Sequence, residues 1–221
     1  MAHPRIQTFV SSTAFGLYEE NYVAVQQGNR MIRIRAQQTV VASGGWERPY
    51  VFENNDLPGV LLASGAQRLL QQQGCKFDGP IVIVTDQPIG YRLADQLKQK
   101  GMHVAALVDL HDQPQGAIEG LRVLAGHTIQ AASGKSHVTG AAIVPTRGGT
   151  MQTIPCQWII QAVGFTPATS LLYQSGCKLK YNADLDQHHV TEWAQGVHSA
   201  GAVNGYHEPL VCVKDGTRAG Q

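Results

Sequence analysis

Residues 81–109 read IVIVTDQPIGYRLADQLKQKGMHVAALVD. Ile81-Val82-Ile83-Val84 is a run of β-favouring apolar residues without polar alternation, so a strand formed there needs cover on both faces. Thr85 to Gly90 interrupts the run as a loop, and Tyr91 to Lys100 carries a helical pattern. Gly101 punctuates it, and Val104-Ala105-Ala106-Leu107-Val108-Asp109 is a second buried strand. Strand, helix and strand joined by short loops form a βαβ unit with parallel strands. The fold class expected is therefore α/β, with parallel, doubly wound Rossmann-like sheets.

Working outward, the same signals recur. Upstream, Ile6 to Val10 has a strand pattern and leads into a second strand, Asn21 to Gln26. Gln27-Gly28-Asn29-Arg30 is a hairpin turn, and Met31 to Ala36 alternates apolar and polar residues. Thr39-Val40-Val41-Ala42 is a short apolar run that ends in Ser43-Gly44-Gly45, and Leu61 to Gln72 reads as an amphipathic helix. Downstream, Leu121–Leu124, Thr128–Ala131 and Ala141–Val144 read as strands. Trp158 to Val163 is a third apolar run, ending in Gly164; Val197 to Ala200 ends in Gly201, and Pro209 to Ala219 begins a last helix. The central lobe, 77–156, is thus inserted between flanking segments, 1–76 and 157–221, that form one domain.

Composition narrows the function. Hydrophobic residues make up 43% of the 221 and charged residues 15%, which supports a packed core and argues against disorder. The net charge is +1 with no basic stripe, so nucleic acid is not an expected partner. No apolar run is long enough to span a membrane, and Met1-Ala2-His3-Pro4 opens no secretory signal. The four cysteines, Cys75, Cys156, Cys177 and Cys212, are far apart and contain no CxxC, so they are expected to be buried reduced thiols in a cytoplasmic protein. No metal site is expected: the nine histidines are scattered, and His188-His189 reads as part of a polar turn.

Two groups of residues are candidates for binding. In an open parallel sheet, ligands lie beyond the carboxyl ends of the strands, and glycine there lets the backbone approach them. Ser43, Gly44 and Gly45, with Gly201 and Ala202, are strand ends of this kind, expected to lie close together; each alone also fits a plain turn. In the βαβ unit, Asp109 ends the second strand, where an acid can hold a ribose hydroxyl. The loop before the helix has a single glycine, Gly90, after Thr85 and Asp86, and Asp86 would repel a phosphate if it faced one. This lobe is either a weak second nucleotide site or a structural lobe. Arg48 either pairs with a phosphate or makes a salt bridge with Glu47 or Asp56. No residue presents itself as a catalytic acid or base; Glu208, in His207-Glu208-Pro209, suits the dipole of the last helix.

Residues 36–63, AQQTVVASGGWERPYVFENNDLPGVLLA, resemble a segment of the heterotetrameric sarcosine oxidase alpha subunit family. So do Ala14–Val23, Ala162-Val163-Gly164-Phe165-Thr166-Pro167 with Gln174-Ser175-Gly176, and Ala200-Gly201-Ala202-Val203-Asn204-Gly205 with Asp215-Gly216. The wider group includes opine oxidase, hydrogen cyanide synthase and dye-linked proline dehydrogenase subunits. The matches follow one another along nearly the whole chain.

The resemblance implies the two-dinucleotide-binding-domain flavoprotein fold, similar to thioredoxin reductase, with a second domain inserted into the first. It implies that the family's first strand and G-x-G-x-x-G lie upstream of these residues, and that relatives continue beyond Gln221. It also implies NAD or FAD at a first-domain site that includes Ser43, Gly44, Gly45, Arg48, Gly164, Gly201 and Ala202. Many flavoprotein reductases carry Asp after the late Ala-Gly to bond the flavin ribityl chain, whereas this sequence has Ala202. The implied partner is a flavin-containing catalytic subunit, holding FMN or FAD, that oxidises a small amine. Two other readings stay open: a thioredoxin-reductase-type NAD(P)H-dependent FAD oxidoreductase, disfavoured by the missing CxxC, and a non-catalytic assembly subunit with a structural nucleotide.

Overall fold

The computed structural model describes residues 4–183 and 186–221; Met1–His3, read above for a secretory signal, lie outside the described residues. The chain divides into two compact units, one made of Met1–Trp46 with Phe165–Gln221 and the other of Glu47–Gly164.

In the first unit, Ser12–Tyr18 (β1), Tyr22–Gln27 (β2) and Arg30–Arg35 (β3) form an antiparallel meander. The expected hairpin turn closes β2 on β3, with Gln27 opposite Arg30. The strand expected at Ile6 to Val10 is not formed. Ile6 and Val10 are 66% and 70% exposed, so they have no apolar surface to bury against. Pairing begins at Ser12, in a strand whose Leu17 joins a buried cluster with Val41, Leu172 and Val197. Thr39–Val41 (β4) and Gly45–Glu47 (β5) follow.

The second unit contains Val60–Leu62 (β6), Ala63–Gln72 (α1), Ile81–Thr85 (β7), Pro88–Gln99 (α2) and Val104–Asp109 (β8). It continues through Val123–Ala125 (β9), His127–Gly134 (β10), Val138–Pro145 (β11), Gln152–Pro155 (β12) and Trp158–Ala162 (β13). Leu61 and Leu62, read from sequence as the start of a helix, end a strand instead. A five-stranded sheet runs in the order β6-β13-β7-β8-β9, with every neighbour parallel. β7 lies inside it and is buried along its whole length. Ile81 and Ile83 face a core shared with α1 and α2, which includes Ala66, Leu93 and Leu97. Val82 and Val84 face another core, built with Ile129, Val138 and Ile143 of the antiparallel β10-β11-β12 meander. The double cover demanded by the apolar run is thus helical on one face and a β-meander on the other.

The chain returns to the first unit with Phe165–Pro167 (β14), which pairs with β5, and Ser170–Gln174 (α3). Lys178–Asn182 (β15) and Gln187–Glu192 (β16) pair antiparallel, and Val197–Ser199 (β17) and Pro209–Ala219 (α4) follow. His188 and His189 lie on β16 rather than in a turn, where they pair with Tyr181 and Lys180.

Ile83→Ala should destabilise the protein by about 2–5 kcal/mol, because a fully buried branched side chain leaves a cavity between sheet and helices. Met31→Ala, at a position 58% exposed on β3, should change stability by no more than about 0.5 kcal/mol. Urea unfolding of both variants checks this contrast.

Candidate functional site

The first-unit candidates come together through one strand pair. β4 and β17 are parallel, with Thr39 opposite Val197, Val40 opposite His198 and Val41 opposite Ser199. The Ala200 N–H extends the pairing to Val41 O at 3.0 Å. Ser43-Gly44 and Gly201 therefore leave the sheet at the same, carboxyl, end. Gly44 and Gly201 have φ of +76° and +80°, a left-handed backbone that a side chain would strain. A Cβ on Gly44 would meet nothing within 4 Å, so this backbone faces open space that a ligand can occupy. Ser43 Oγ donates to Ala168 O at 2.8 Å and Gly44 O accepts from Ala168 N at 3.0 Å, which fixes the turn. Gly45 is packed on the β14 backbone, its Cβ position 3.1 Å from Thr166 O. Ala202 lies in the 3-10 turn Gly201–Asn204.

One residue of this end, Asp215, stands in the sequence reading only within the family resemblance and has no role there. Asp215, buried on α4, accepts the Gly201 N–H at 2.8 Å and Asn204 Nδ2 at 2.8 Å, while its other oxygen accepts Arg218 Nη2 at 2.7 Å. Burial alone pushes the carboxyl up. The Gly201 amide, the Asn204 amide and the Arg218 guanidinium outweigh it and hold the group below the usual carboxylate range. The sequence signal was an acid that follows closely on a run of four apolar residues in a helix, Leu210-Val211-Cys212-Val213.

Arg48 and Gly164 belong to the second unit, with the βαβ loop. The Arg48 N–H donates to Gly164 O at 3.0 Å, and Arg48 Nη2 donates to Val163 O at 3.1 Å. Its ion pair is with Asp86, at 3.9 Å, a partner the sequence reading did not name. Glu47 instead accepts the Ser64 N–H at 2.8 Å and caps α1. Arg48 Nη2 and Gln87 Cγ each lie 3.4 Å from where a Gly164 Cβ would be, so the end of β13 is filled from within.

The βαβ loop is likewise occupied by its own atoms. Thr85 Oγ1 lies 2.8 Å from Ala162 O, joining the ends of β7 and β13, and accepts the Gln87 N–H at 3.0 Å. Pro88 has no N–H, and the Gly90 N–H goes to Gln87 O at 3.1 Å. Gly90 is needed for packing, since a Cβ there would overlap the Thr85 side chain. Asp109 is fully buried. Its Oδ2 accepts Tyr91 Oη at 2.6 Å and Gln115 N at 3.1 Å, and its Oδ1 accepts His111 N at 2.9 Å. His111 Nδ1 lies 3.1 Å from the same Oδ1, so the four acceptor positions of the carboxylate are filled from inside the unit. Burial raises the Asp109 carboxyl, but the Tyr91, His111 and Gln115 donors more than offset it and bring it below the usual range. Asp86 is the reverse case. Burial pushes it up, Arg48 and His111 oppose without cancelling, and its Oδ1 is buried with no hydrogen-bond donor.

The cysteines are all free, but only Cys156 and Cys177 are buried; Cys75 is exposed and Cys212 half-buried. Burial pushes the Cys156 thiol up to about 12. Among the described residues, no cluster of His, Cys, Asp and Glu could hold a metal ion, and no helix is long and apolar enough to cross a membrane.

A parallel sheet carrying a β-meander, inserted into a unit whose parallel strands end in glycines, is the architecture of the two-dinucleotide-binding-domain flavoproteins. The thioredoxin reductase of Lactococcus lactis superposes with a TM-score of 0.71 at 12% identity, over 94% of this chain and 71% of that one. In sequence, the chain is similar to sarcosine oxidase alpha subunits. It is 29% identical to the alpha subunit of sarcosine oxidase from Corynebacterium sp. (strain P-1) over 235 residues, 95% of this chain and 24% of that protein. It is 28% identical to an opine oxidase subunit of Agrobacterium tumefaciens (strain Ach5), over 72% of this chain and 36% of that protein. The chain thus spans about a quarter to a third of the curated relatives it matches. No family model matches it.

The two buried acids should respond oppositely to removal of charge. Asp109, whose folded pKa is depressed, contributes stability that is present above its unfolded pKa of about 4 and is lost as pH falls below it. Asp109→Asn should then cost about 2–4 kcal/mol at pH 7, with the gap narrowing as pH falls below about 4. Asp86, whose folded pKa is raised, penalises folding above that same unfolded value, and the penalty fades as pH falls through the folded pKa. Asp86→Asn should raise the melting temperature at pH 7. Thermal melts from pH 3 to pH 8 check both signs.

Proposed function

We propose that the chain is the dinucleotide-binding part of a flavin-dependent oxidoreductase subunit that serves the oxidation of a small amine, opine or imino acid. The observation that carries the reading is the parallel register of β4 and β17, which puts Ser43, Gly44 and Gly201 at one carboxyl end. There the backbone of Gly44 faces open space, as a bound NAD or FAD requires. Ser43 and Gly44 would hold the ligand's phosphate or ribose, with Gly45, Gly201 and Ala202 lining the approach. The Gly201 N–H is already bonded to Asp215, so Gly201 is not a donor to the ligand, and its Cβ position lies 3.8 Å from Cys212 Cβ. The second unit is proposed as a structural lobe. Arg48, Asp86 and Gln87 fill its strand ends, and Asp109 is bonded from within. This departs from the weak second site considered for Thr85, Asp86, Gly90 and Asp109.

A bound flavin or nicotinamide supplies hydride transfer. The sarcosine oxidase relatives are named as subunits, which supports assembly with a partner chain. The partner proposed is a flavin-containing catalytic subunit that holds FMN or FAD and receives the amine. Free thiols suit a reducing compartment, so the cytoplasm is the proposed location.

Nucleotide titration of the 221-residue chain tests the site. NAD should bind weakly, with a dissociation constant on the order of 0.1–1 mM, and shift the amides of Ser43 to Gly45 in NMR spectra. Gly44→Val should abolish binding by placing a side chain in the ligand's space. Gly28→Val is the control: φ at Gly28 is +57° and its Cβ position is also open, so the strain is alike, yet it lies in the β2–β3 turn and should leave binding unchanged. Unaltered NAD binding in Gly44→Val, or shifts at Thr85 to Gly90 instead, would refute the assignment.

A further inference from the structure

A cavity of 590 Å³ runs beside β17 in the first unit, from Gly196 just before the strand to Asn204 in the turn that follows it. A volume of this order suits a small-molecule ligand. Trp193, Tyr206 and Arg218 line the cavity, and among the described residues no Asp or Glu does. The Ser43–Gly45 turn takes no part in it.

Arg218 is held in place without being used up. Its side chain is 74% exposed, and its Nη2 donates at 2.7 Å to Asp215 Oδ1, the buried carboxylate that also accepts the Gly201 and Asn204 N–H groups. Those two amides offset part of the carboxylate's charge, so the guanidinium keeps a positive potential toward the cavity. Its Nε and Nη1 have no partner among the described residues. A guanidinium fixed through one nitrogen, with donors left on the others, is prepared for a second anion.

The aromatic residues are also short of partners. Trp193 and Tyr206 are 50% and 40% exposed, although tryptophan is on average highly buried. Among the described residues neither ring packs on another aromatic ring, and neither the indole N–H nor the Tyr206 hydroxyl is hydrogen-bonded. Open aromatic faces take a flat ring, and unpaired donors beside a cation take an anion. A carboxylate on a single small ring offers both groups but leaves most of the cavity unfilled. We propose that this cavity binds a nucleoside monophosphate, its base stacked on Trp193 and its phosphate held by Arg218. The site is separate from the Ser43–Gly44 cradle and does not depend on nucleotide binding there.

The test is a titration of the isotope-labelled 221-residue chain with AMP, followed at the Gly196 backbone amide and the Arg218 side-chain Nε–H. Both should shift and saturate with a dissociation constant on the order of 0.1–1 mM. Adenosine, which keeps the base and lacks the phosphate, should bind at least about tenfold more weakly. Trp193→Ala, at an exposed position, should weaken AMP binding roughly tenfold through loss of stacking. If that variant does not fold, the comparison with adenosine decides. Gly44→Val, which fills the cradle, should leave AMP binding unchanged; loss of AMP binding there would place AMP at the cradle instead. That loss, absence of saturation, equal affinity for adenosine, or unchanged affinity in Trp193→Ala would overturn the proposal.

Discussion

A strand that is apolar on both faces has to be covered twice, and the second unit is organised around meeting that demand for β7. Ile81 and Ile83 belong to the core under α1 and α2, and Val82 and Val84 to the core under the β-meander, so neither layer can be removed without exposing half the strand. The parallel register carries the constraint to both sides. β13 and β8 must lie beside β7, their apolar residues divide between the same two cores, and their carboxyl ends fall in line with Thr85. The positions of Gly164, Asp86 and Asp109 all follow from where those three strands stop.

The ends of the two parallel sheets have the same geometry and different chemistry. In the first unit the polar side chains turn away from the crevice, toward the backbone behind it: Ser43 bonds Ala168, and Asp215 bonds Gly201, Asn204 and Arg218. That leaves the left-handed turn at Gly44 rigid and open. In the second unit the polar side chains enter the strand ends. Arg48 lies against Gly164 and Val163, Thr85 ties β7 to β13, and Asp109 spends both oxygens on Tyr91, His111 and Gln115. A glycine count of the Thr85–Gly90 loop points the same way, but the structure gives the reason: the single glycine serves helix-to-strand packing and not phosphate approach.

What was legible in the sequence was what depends on local pattern. β8 and α4 have the bounds read from periodicity, and the parallel sheet was implicit in one apolar run followed by a helix. The shared end of β4 and β17 was also legible, because each strand announces its carboxyl end with glycine. Contacts between side chains distant in sequence were not. Asp215 looks like any helical acid until the fold carries it to the Gly201 amide, and Arg48 has nearer acids, Glu47 and Asp56, that mask its pairing with Asp86. β5 and β14, Gly45-Trp46-Glu47 and Phe165-Thr166-Pro167, have no apolar run and carry too little pattern to be seen. Ile6 to Val10 shows the converse failure, a good local pattern with no buried surface to pack against.

Asp86 bears on why a fold keeps a group that does not stabilise it. Its carboxylate is largely buried, one oxygen lacks a donor, and the Arg48 guanidinium at 3.9 Å is too far for a close hydrogen-bonded pair. An apolar or amide side chain of similar size would satisfy the packing without the desolvation cost. What an amide would not do is place a negative charge at the start of α2, where the helix dipole would otherwise favour an anion. The carboxylate answers the local positive potential from within and engages Arg48, so the strand end of the second unit is complete without an anion from outside.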